Sequence, residues 1–434
     1  MGVTTKTIRP QLSEAAASRT VALLDRLFGG DRDFTVRLWN GTVLPPATGP
    51  SQFTLVLNHP GALRQMLLPP SDLALGEAYV RGDFDVDGSL EAATASGVRM
   101  VSRPRSWGEI ARVAMELLSL PNVKASGDVP PRARVQGLLH TPARDRLAVR
   151  HHYDVGNDFY ELWLDRRMVY SCAYFPTGTE DIDTAQTAKL EHTCRKLRLQ
   201  PGERLLDIGC GWGGLVMYAA ERFGVQAVGI TLSEPQAALA RERIAAAGLS
   251  ASCRVEVVDY REFSAEPFDK IVSVGMFEHV GRAKLPEYFA HASTLLRPGG
   301  LFLNHGIVGY AVRTPWRRIG GKSFIDAHIF PDGELLPLAY TLDVAERTGF
   351  EVRDVESLRE HYARTLHHWL QRLERRQDDA VRLVGEGKYR TWRLYLAGSA
   401  NGFVTGRVSV FQSLLAKADA GQVALPWSRA DLYQ

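Results

Sequence analysis

Short apolar runs alternate with amphipathic stretches from about residue 146 to the end of the chain. Runs such as RLLDIG, VQAVGI, RVEVVD, FDKIVSVG and GLFLNH are typical of buried strands. The stretches between them, such as SEPQAALARERIAAAG and LPEYFAHASTLLRPG, have helical periodicity. This alternation predicts an α/β fold with a mostly parallel, doubly wound sheet that carries helices on both faces.

The first hundred residues follow a different pattern. The strand-like runs FTVRLWNGTVLPP and SQFTLVLNHP are broken by Gly and Pro, which predicts a smaller N-terminal mixed α/β domain over residues 1–100. Residues 101–145 are rich in Arg and Pro, and the stretch ASGDVPPRAR within them is typical of a linker. We therefore expect a small domain, a linker that can contact anionic lipid headgroups, and a large domain over residues 146–434.

Composition narrows the class of protein. The chain has 434 residues and a formal net charge of +3, which gives no reason to expect a nucleic-acid partner. None of its four cysteines forms a CxxC pair, so we expect a reducing compartment and neither a zinc site nor a disulfide framework. The first twenty residues contain no apolar signal region, and no apolar run reaches the length of a membrane span. Lipid chemistry, if present, then belongs to a soluble or peripheral protein.

A glycine-rich loop follows the first predicted strand of the large domain. Gly209, Gly211 and Gly214 fit the pattern G-x-G-x-x-G, in which glycines let the backbone turn sharply and approach a ligand. A dinucleotide site needs an acidic residue about 20 positions further on for the ribose, and Thr231 stands there instead. Asp207 lies just before the loop. The pattern favours S-adenosylmethionine over NAD, and over a structural turn without a ligand.

Longer strings carry a resemblance to a known family. They are VRHHYDVGNDFYELWLD, MVYSCAYF, LLDIGCGWGG, GITLSEPQ, IVSVGMFEHVG, FLNHGI, HIFPDGELLP, HYARTLHHW and YLAGSANGF, in that order. With them the chain resembles the cyclopropane-fatty-acid and mycolic-acid synthases, S-adenosylmethionine-dependent methyltransferases with a Rossmann-like class I fold. The N-terminal string DLALGEAYVRGDFDVDGSL is similar to the longer, phospholipid-acting members of that family.

The resemblance implies a set of cofactor-binding residues. The set comprises Tyr170, Ser171, Asp207, Gly209, Gly211, Gly213, Thr231, Leu232, Gln236, Asp259, Tyr260 and Arg261. By this resemblance, Tyr170, Ser171 and the glycine loop contact the methionine part of the cofactor. Thr231, Leu232 and Gln236 hold the ribose side, and Asp259, Tyr260 and Arg261 flank the adenine. The last three depart from the mycolic-acid enzymes, which have Gly-Trp-Glu at these positions.

The chemistry of such an enzyme requires a base. Methyl transfer to an alkene places positive charge on the acyl chain, and the new methyl group must lose a proton to close a ring. The family resemblance implies that a bound bicarbonate ion is this base. It also implies the residues that hold the ion, which are Cys172, Glu278, His305, Ile307 through its backbone, and Tyr362. Taken singly, these four side chains have structural alternatives as a buried thiol, a helix-terminal charge, a core histidine and a packing tyrosine.

The function expected from the resemblance is a cyclopropane-fatty-acyl-phospholipid synthase that acts on a cis double bond. Three alternatives stay open: a methyltransferase that leaves a methylene- or methyl-branched chain, a non-catalytic lipid-binding protein, and a small-molecule O- or N-methyltransferase. We expect an unsaturated phospholipid as the partner, a cytoplasmic protein that is peripheral at the inner face of the cell membrane, and a homodimer in contact through the N-terminal domain. Four histidines, His151, His152, His367 and His368, lack companion spacing for a metal, so no metal is expected.

Overall fold

The computed structural model describes residues 10–153, 155–310 and 322–433, and these divide into two compact units. The first unit takes its described residues from 1–132, 315–329 and 384–401, and the second from 133–314, 330–383 and 402–434. The division differs from the three ranges expected above, because most of the expected linker groups with the N-terminal residues. Two later segments also group with them, and no local sequence pattern reports such long-range packing.

The elements up to residue 132 belong to the first unit. They are α1 (Pro10–Phe28), β1 (Thr35–Arg37), β2 (Val43–Leu44), β3 (Phe53–Leu57), α2 (Ala62–Leu67), α3 (Asp72–Arg81), β4 (Phe84–Gly88), α4 (Leu90–Ser102) and α5 (Trp107–Ser119). Within the described residues, four strands form a mixed sheet in the order β2-β1-β3-β4. The central strand β3 alternates buried and half-buried residues, as expected when one face of a sheet packs on a core.

Helix α5 lies inside the range that the sequence assigned to a linker. It begins with a capping box, in which the Ser106 hydroxyl accepts from the Glu109 N–H and the Glu109 carboxylate accepts from the Ser106 N–H. Residues 121–136, which include the expected linker string ASGDVPPRAR up to Arg134, have no regular secondary structure. The sequence pattern therefore located an irregular segment but missed the helix before it.

The elements after residue 132 mostly build the second unit. They are α6 (Pro142–Tyr153), α7 (Asn157–Glu161), α8 (Ile182–Lys196), β5 (Arg204–Ile208), α9 (Gly214–Phe223), β6 (Gln226–Thr231), α10 (Glu234–Ala246), β7 (Cys253–Val257), β8 (Phe268–Val274), a 3₁₀ turn (Phe277–His279), α11 (Leu285–Leu295), β9 (Leu296–Gly309), α12 (Phe324–His328), α13 (Leu338–Arg347), β10 (Glu351–Ser357), α14 (Arg359–Arg375), α15 (Gln377–Val384), α16 (Glu386–Val404), β11 (Val408–Ala416) and a 3₁₀ turn (Ala430–Leu432). Of these, α12 and most of α16 group with the first unit.

A mostly parallel sheet forms the centre of the second unit. Within the described residues its seven strands have the order β10-β11-β9-β8-β5-β6-β7. The five strands expected from the apolar runs are β5 to β9, and they pair in parallel. Strand β11 is antiparallel to both of its neighbours, β9 and β10. The Rossmann-like fold expected from the sequence is thus confirmed, with a C-terminal antiparallel pair that the sequence did not predict.

The core of this unit explains the near-continuous apolar runs. Strands β5 and β8 lie in the middle of the sheet, and Leu205, Leu206, Ile271 and Val272 are fully buried. Two apolar clusters lie on opposite faces of the sheet and receive alternate residues of each strand, with Leu205 in one and Leu206 in the other. Because both faces of the sheet are packed, the carboxyl ends of the parallel strands are held in fixed positions and can support a binding site.

Candidate active site

A cavity opens at the carboxyl ends of β5, β6 and β8, where a parallel α/β sheet binds its ligands. The glycine loop forms one wall, and Gly209 (φ +90°) and Gly211 (φ +54°) both have left-handed backbone conformations. A Cβ atom on Gly209 would come within 2.8 Å of the Met276 Cβ atom. A Cβ atom on Gly211 would meet only the Gln236 Nε2 atom, at 4.0 Å. The loop therefore needs glycine for its turn and leaves its backbone accessible from the cavity.

Eleven of the twelve cofactor residues expected from the sequence line this cavity. They are Tyr170, Ser171, Asp207, Gly209, Gly211, Thr231, Leu232, Gln236, Asp259, Tyr260 and Arg261. The twelfth, Gly213, is the residue before α9, where its φ is +78° and a Cβ atom would lie 3.2 Å from the Ala240 Cβ atom. Close packing against Ala240 of α10 is thus the reason for glycine at position 213. The next residue, Gly214, does line the cavity.

A buried lysine in the cavity wall was missed by the sequence reasoning. Lys189, on α8, is 2% exposed, and its Nζ atom donates to the Ser171 hydroxyl at 3.0 Å. Burial lowers the pKa of Lys189 to about 8 despite the nearby carboxylates, chiefly Asp165. The sequence signal was a lysine on a helix face that is otherwise buried. Periodicity indicates that such a residue is buried, but it does not show that the residue binds a ligand.

Asp207 supplies the opposite charge in the same wall. It is 3% exposed, and its Oδ1 atom has no hydrogen-bond partner. Burial raises the pKa of Asp207 to about 7, and the Lys189 ammonium acts in the opposite direction. A buried carboxylate without a donor is costly unless a ligand satisfies it. The α-ammonium and α-carboxylate of a methionine moiety are complementary to Asp207 and Lys189, so these residues fit S-adenosylmethionine.

The far side of the cavity contains an acid–base network around Arg261. Its guanidinium donates to both oxygens of Asp259, at 2.8 and 2.6 Å, and lies 3.0 Å from the Asp145 carboxylate. These contacts hold the pKa of Asp259 below its usual range against the effect of burial. The buried Tyr260 hydroxyl has no partner and can bond a ligand. Asp145 falls in the range that the sequence assigned to the linker, so its place in the cavity was also missed.

Two of the residues expected to hold bicarbonate, Glu278 and Ile307, are in direct contact beside this cavity, at the end of β9. Glu278 lies on the 3₁₀ turn after β8, and its Oε1 atom accepts from the Ile307 N–H at 2.7 Å. Its Oε2 atom is buried without a partner. The Ile307 N–H is therefore directed to Glu278 and fixes that carboxylate, whereas the family resemblance implied that this N–H contacts the ion directly. The backbone path of β9 decided this, and no sequence pattern gives it.

His305 lies two residues before Ile307 on β9. The Gln412 side-chain amide donates to its Nδ1 atom at 3.2 Å, which assigns the proton to Nε2. That Nε2 atom is buried without a partner. Burial lowers the pKa of His305 to about 3, so the imidazole is neutral and offers one N–H.

Cys172 and Tyr362 both contact the carbonyl of Leu358. The Cys172 thiol lies within hydrogen-bond distance of two carbonyls, those of Ala173 at 3.2 Å and Leu358 at 3.6 Å. The Tyr362 N–H donates to the same Leu358 carbonyl at 3.0 Å. The Leu358 N–H in turn donates to Val410 on β11, which pairs with Ile307. Burial raises the pKa of Cys172 far above its usual range, so it remains a thiol.

The two groups of residues adjoin along the chain. Tyr170 and Ser171 line the cofactor cavity, and Cys172 directly follows them. Met276 and His279 also line it, and Glu278 lies between these two in the chain. In chemical terms, the unpartnered Glu278 oxygen can accept from the hydroxyl group of a small oxyanion such as bicarbonate, and the unpartnered His305 N–H can donate to such an ion. Within the described ranges, no cluster of three or more His, Cys, Asp or Glu side chains is arranged to hold a metal ion.

Comparison with known proteins identifies the class. Residues 140–413 match the family described as mycolic acid cyclopropane synthetase, and residues 21–101 match a domain of unknown function. A probable fatty acid methyltransferase of Pseudomonas putida is 42% identical over 401 residues, which cover 92% of this chain and 96% of that protein. Cyclopropane mycolic acid synthase 1 of Mycobacterium tuberculosis is 38% identical over 272 residues, 61% of this chain and 94% of that enzyme.

Solved structures agree with this assignment. The cyclopropane synthase MmaA2 of Mycobacterium tuberculosis superimposes with a TM-score of 0.59 at 36% identity, over 63% of this chain and 98% of that enzyme. The synthase CmaA1 complexed with SAH and CTAB also gives 0.59, at 37% identity, over 62% of this chain and 97% of that one. The fold and the cavity define a class I S-adenosylmethionine-dependent C-methyltransferase. Within that class, the chain belongs to the mycolic acid cyclopropane synthetase family and is a methyltransferase of the cyclopropane-fatty-acid-synthase type.

Proposed function

We propose that the chain is a cyclopropane-fatty-acyl-phospholipid synthase. It transfers a methyl group from S-adenosylmethionine to a cis double bond of a phospholipid acyl chain, and loss of a proton from that methyl group closes the ring. The observation that carries the proposal is the pair of unpartnered buried atoms, Glu278 Oε2 and His305 Nε2, beside the cofactor cavity. Buried polar atoms without partners are rare in proteins, and here they belong to two groups suited to hold a base.

Each part of the site has a distinct role in this reaction. When bound, S-adenosylmethionine supplies an electrophilic methyl group. Asp207 and Lys189 hold its amino-acid end, and the glycine loop lets the backbone approach it. Glu278 and His305 would hold a bicarbonate ion, which would supply the base that ring closure requires. The negative charge of Glu278 also stabilises positive charge on a nearby acyl chain.

A second product class has a specific observation in its favour. The relative from Pseudomonas putida that covers nearly the whole chain is named a probable fatty acid methyltransferase, and this name does not mention a cyclopropane ring. If the proton leaves a neighbouring chain carbon instead of the new methyl group, the product is a methylene-branched chain. The position of the base relative to the cation decides between these outcomes, and the experiment below separates them.

Helix α5 supports a peripheral position on a lipid surface. Trp107, Met115 and Leu118 are 87%, 64% and 57% exposed, and their spacing places them on one face of the helix. Arg112 is exposed on the same helix. An exposed apolar stripe with a tryptophan and nearby basic residues fits the interface of an anionic membrane. Among the helices in the described ranges, none has the length and apolar character that a membrane crossing requires. We propose that the enzyme binds the inner face of the cell membrane.

The test uses the purified full-length chain with unsaturated phospholipid vesicles and isotopically labelled S-adenosylmethionine. We expect mass spectrometry to show acyl chains heavier by one CH₂ group, and proton NMR to show cyclopropane methylene signals. Water-soluble amines and phenols serve as competing acceptors, and the Glu278→Gln chain serves as a matched control. Label in an exomethylene group would establish the branched product, and label only in the soluble acceptors would refute both proposals.

A further inference from the structure

A second cavity, which we call the arginine cavity, lies in the second unit apart from the residues assigned above. It measures about 530 Å³, and its lining is Glu161, Leu162, Leu164, Asp165, Arg166, Met168, Arg243, Arg372, Arg375 and Arg376. Five of these ten residues are arginines and two are acidic, so the lining has an excess of positive charge. The arginines come from three places in the sequence: the segment after α7, helix α10 and the end of α14.

Internal ion pairs neutralise only part of this charge: Arg166 and Arg372 pair with Asp183, and Arg376 pairs with Asp379. Arg243 and Arg375 have no such pair among the described residues. Arg375 has no hydrogen-bond or salt-bridge partner among the residues that the structure describes, and its helix ends at this position. Arg243 donates only to backbone carbonyls, those of Arg166, Arg167 and Trp212. Among the described residues no carboxylate accepts a hydrogen bond from these two arginines, since the buried Asp165 of the lining accepts from backbone N–H groups instead.

Helix stability alone does not account for this arrangement. Basic residues in the last turn of a helix complement its dipole, which gives a structural reason for Arg372 and Arg375. Arg243 belongs to another helix, α10, and yet lines the same cavity. Placing Arg243 and Arg375 beside the three paired arginines costs electrostatic energy through repulsion, which an anion in the cavity would relieve. Guanidinium groups are well suited to bind phosphate through paired N–H donors.

The cavity also adjoins the cofactor site. Met168 lines both cavities and therefore lies in the wall between them. Arg243 donates to the carbonyl of Trp212, which lies in the glycine loop. Leu162, Leu164 and Met168 give the otherwise basic cavity an apolar portion. A ligand that suits both parts has a phosphate group attached to an apolar chain.

We propose that the arginine cavity binds the phosphodiester group of the phospholipid substrate, with Arg375 as a principal donor. The inference rests on the proposed function for the identity of the lipid. A headgroup held there would lie next to the cofactor site and would contribute binding energy to phospholipids that a free fatty acid or its methyl ester cannot obtain. The arginine cavity thus determines specificity for phosphate-bearing substrates and takes no part in the chemical step.

The experiment first measures binding without catalysis. Glycerophosphoglycerol, the deacylated headgroup of phosphatidylglycerol, is titrated into the full-length chain and followed by calorimetry or phosphorus NMR. We expect Arg375→Gln to weaken binding about tenfold, as expected when one charge-assisted contact is lost. Arg364→Gln is the matched control, since Arg364 is an exposed arginine on the same helix outside the cavity lining. Equal affinity of Arg375→Gln and the unaltered chain overturns the proposal, and so does inorganic phosphate binding as tightly as the phosphodiester.

A second measurement compares two substrates that differ in the phosphate. On phosphatidylglycerol vesicles with unsaturated chains, Arg375→Gln should raise KM severalfold and leave kcat unchanged. On an unsaturated fatty acid methyl ester in nonionic detergent, neither KM nor kcat should change. Equal effects on both substrates, or none on either, would contradict a headgroup site. Headgroup binding that depends on Arg375, in an enzyme that turns over no phospholipid, would uphold the phosphate site while refuting the proposed function.

Discussion

The backbone N–H of Ile307 donates to Glu278 Oε1 at 2.7 Å and leaves the other oxygen of that carboxylate buried without a partner. One oxygen is thus fixed by the sheet and the other is available to a ligand. The residues around the pair are closely packed and leave no room for a side chain at position 306, since a Cβ atom on Gly306 would come within 2.0 Å of the Phe277 ring. Glu278 is therefore held in one orientation beside the cofactor cavity.

Replacing Glu278 by Gln tests its role. The amide keeps the shape but removes the negative charge and one acceptor, so kcat should fall by about 10² or more. The affinity for S-adenosylhomocysteine, measured by calorimetry, should stay unchanged, because Glu278 does not line the cofactor cavity. Cys172→Ser should have a milder effect, since a hydroxyl can still donate. Near-normal turnover in Glu278→Gln would exclude a role for this carboxylate in holding the base.

The pH dependence of turnover follows from the burial of Glu278. Burial raises its pKa to about 7, so the side chain is a neutral acid below that pH and a carboxylate above it. If the carboxylate form supports catalysis, kcat rises with pH through about 7 and then levels off. The Glu278→Gln chain should lack this rise in its residual activity. A wild-type profile that is flat from about pH 6 to about pH 8 would contradict the assignment.

Bicarbonate itself can be removed and restored. Carefully degassed, bicarbonate-free buffer should lower turnover of the unaltered chain, and added bicarbonate should restore it. Binding of S-adenosylhomocysteine should be the same in both buffers, since the cofactor cavity is a separate part of the site. Full turnover without bicarbonate would show that a protein group, with Glu278 the first candidate, takes the proton directly.

Gly211→Val should weaken cofactor binding by more than tenfold, roughly 1.4 kcal/mol. The added side chain would occupy cavity space, because only Gln236 Nε2 lies within 4 Å of the new Cβ position. Gly248→Val is a matched control: Gly248 is also left-handed (φ +70°), and it lies outside the cavity lining. Both variants should lose stability through backbone strain, but only Gly211→Val should lose affinity by calorimetry. An equal loss of affinity in both would indicate a global effect.

Lys189→Met should also weaken binding of the cofactor, by about tenfold, through loss of the charge that faces its carboxylate. Lys196→Met provides the comparison, since Lys196 is equally buried on the same helix but pairs with Glu356 at 2.5 Å, outside the cavity. The Lys196 variant should unfold at lower temperature and bind S-adenosylhomocysteine normally when folded. Unchanged affinity in a folded Lys189→Met chain would remove this lysine from the cofactor site.

The double change Trp107→Ala and Leu118→Ser should reduce binding to anionic vesicles by at least tenfold in a sedimentation assay. Each large apolar side chain that leaves the lipid interface loses about 1.5 kcal/mol or more. Turnover of a detergent-dispersed substrate should be unaffected. Val43→Ser, at an exposed apolar position of the same unit outside α5, should bind vesicles normally. Normal vesicle binding by the double variant would show that α5 is not the lipid contact.

The sequence by itself predicted the parallel sheet and eleven of the residues that line the cavity at its carboxyl ends. The apolar runs predicted β5 to β9 because strands buried on both faces need continuous apolar residues. The glycines and Asp207 were recognisable because a turn at the end of a strand imposes a local requirement on residue type. The five residues expected around the base were named from family strings, and their roles remain predictions.

Tertiary structure alone decided the rest, because it depends on contacts between residues far apart in the chain. Nothing local indicates that β10 and β11 add an antiparallel pair, or that residues 384–401 group with the N-terminal unit. Lys189 and the arginine cavity have no sequence signature, since a buried lysine and scattered arginines look like ordinary helix residues. Likewise, the Ile307 N–H is directed to Glu278 by the path of β9, and backbone geometry of this kind is set only when the sheet has assembled.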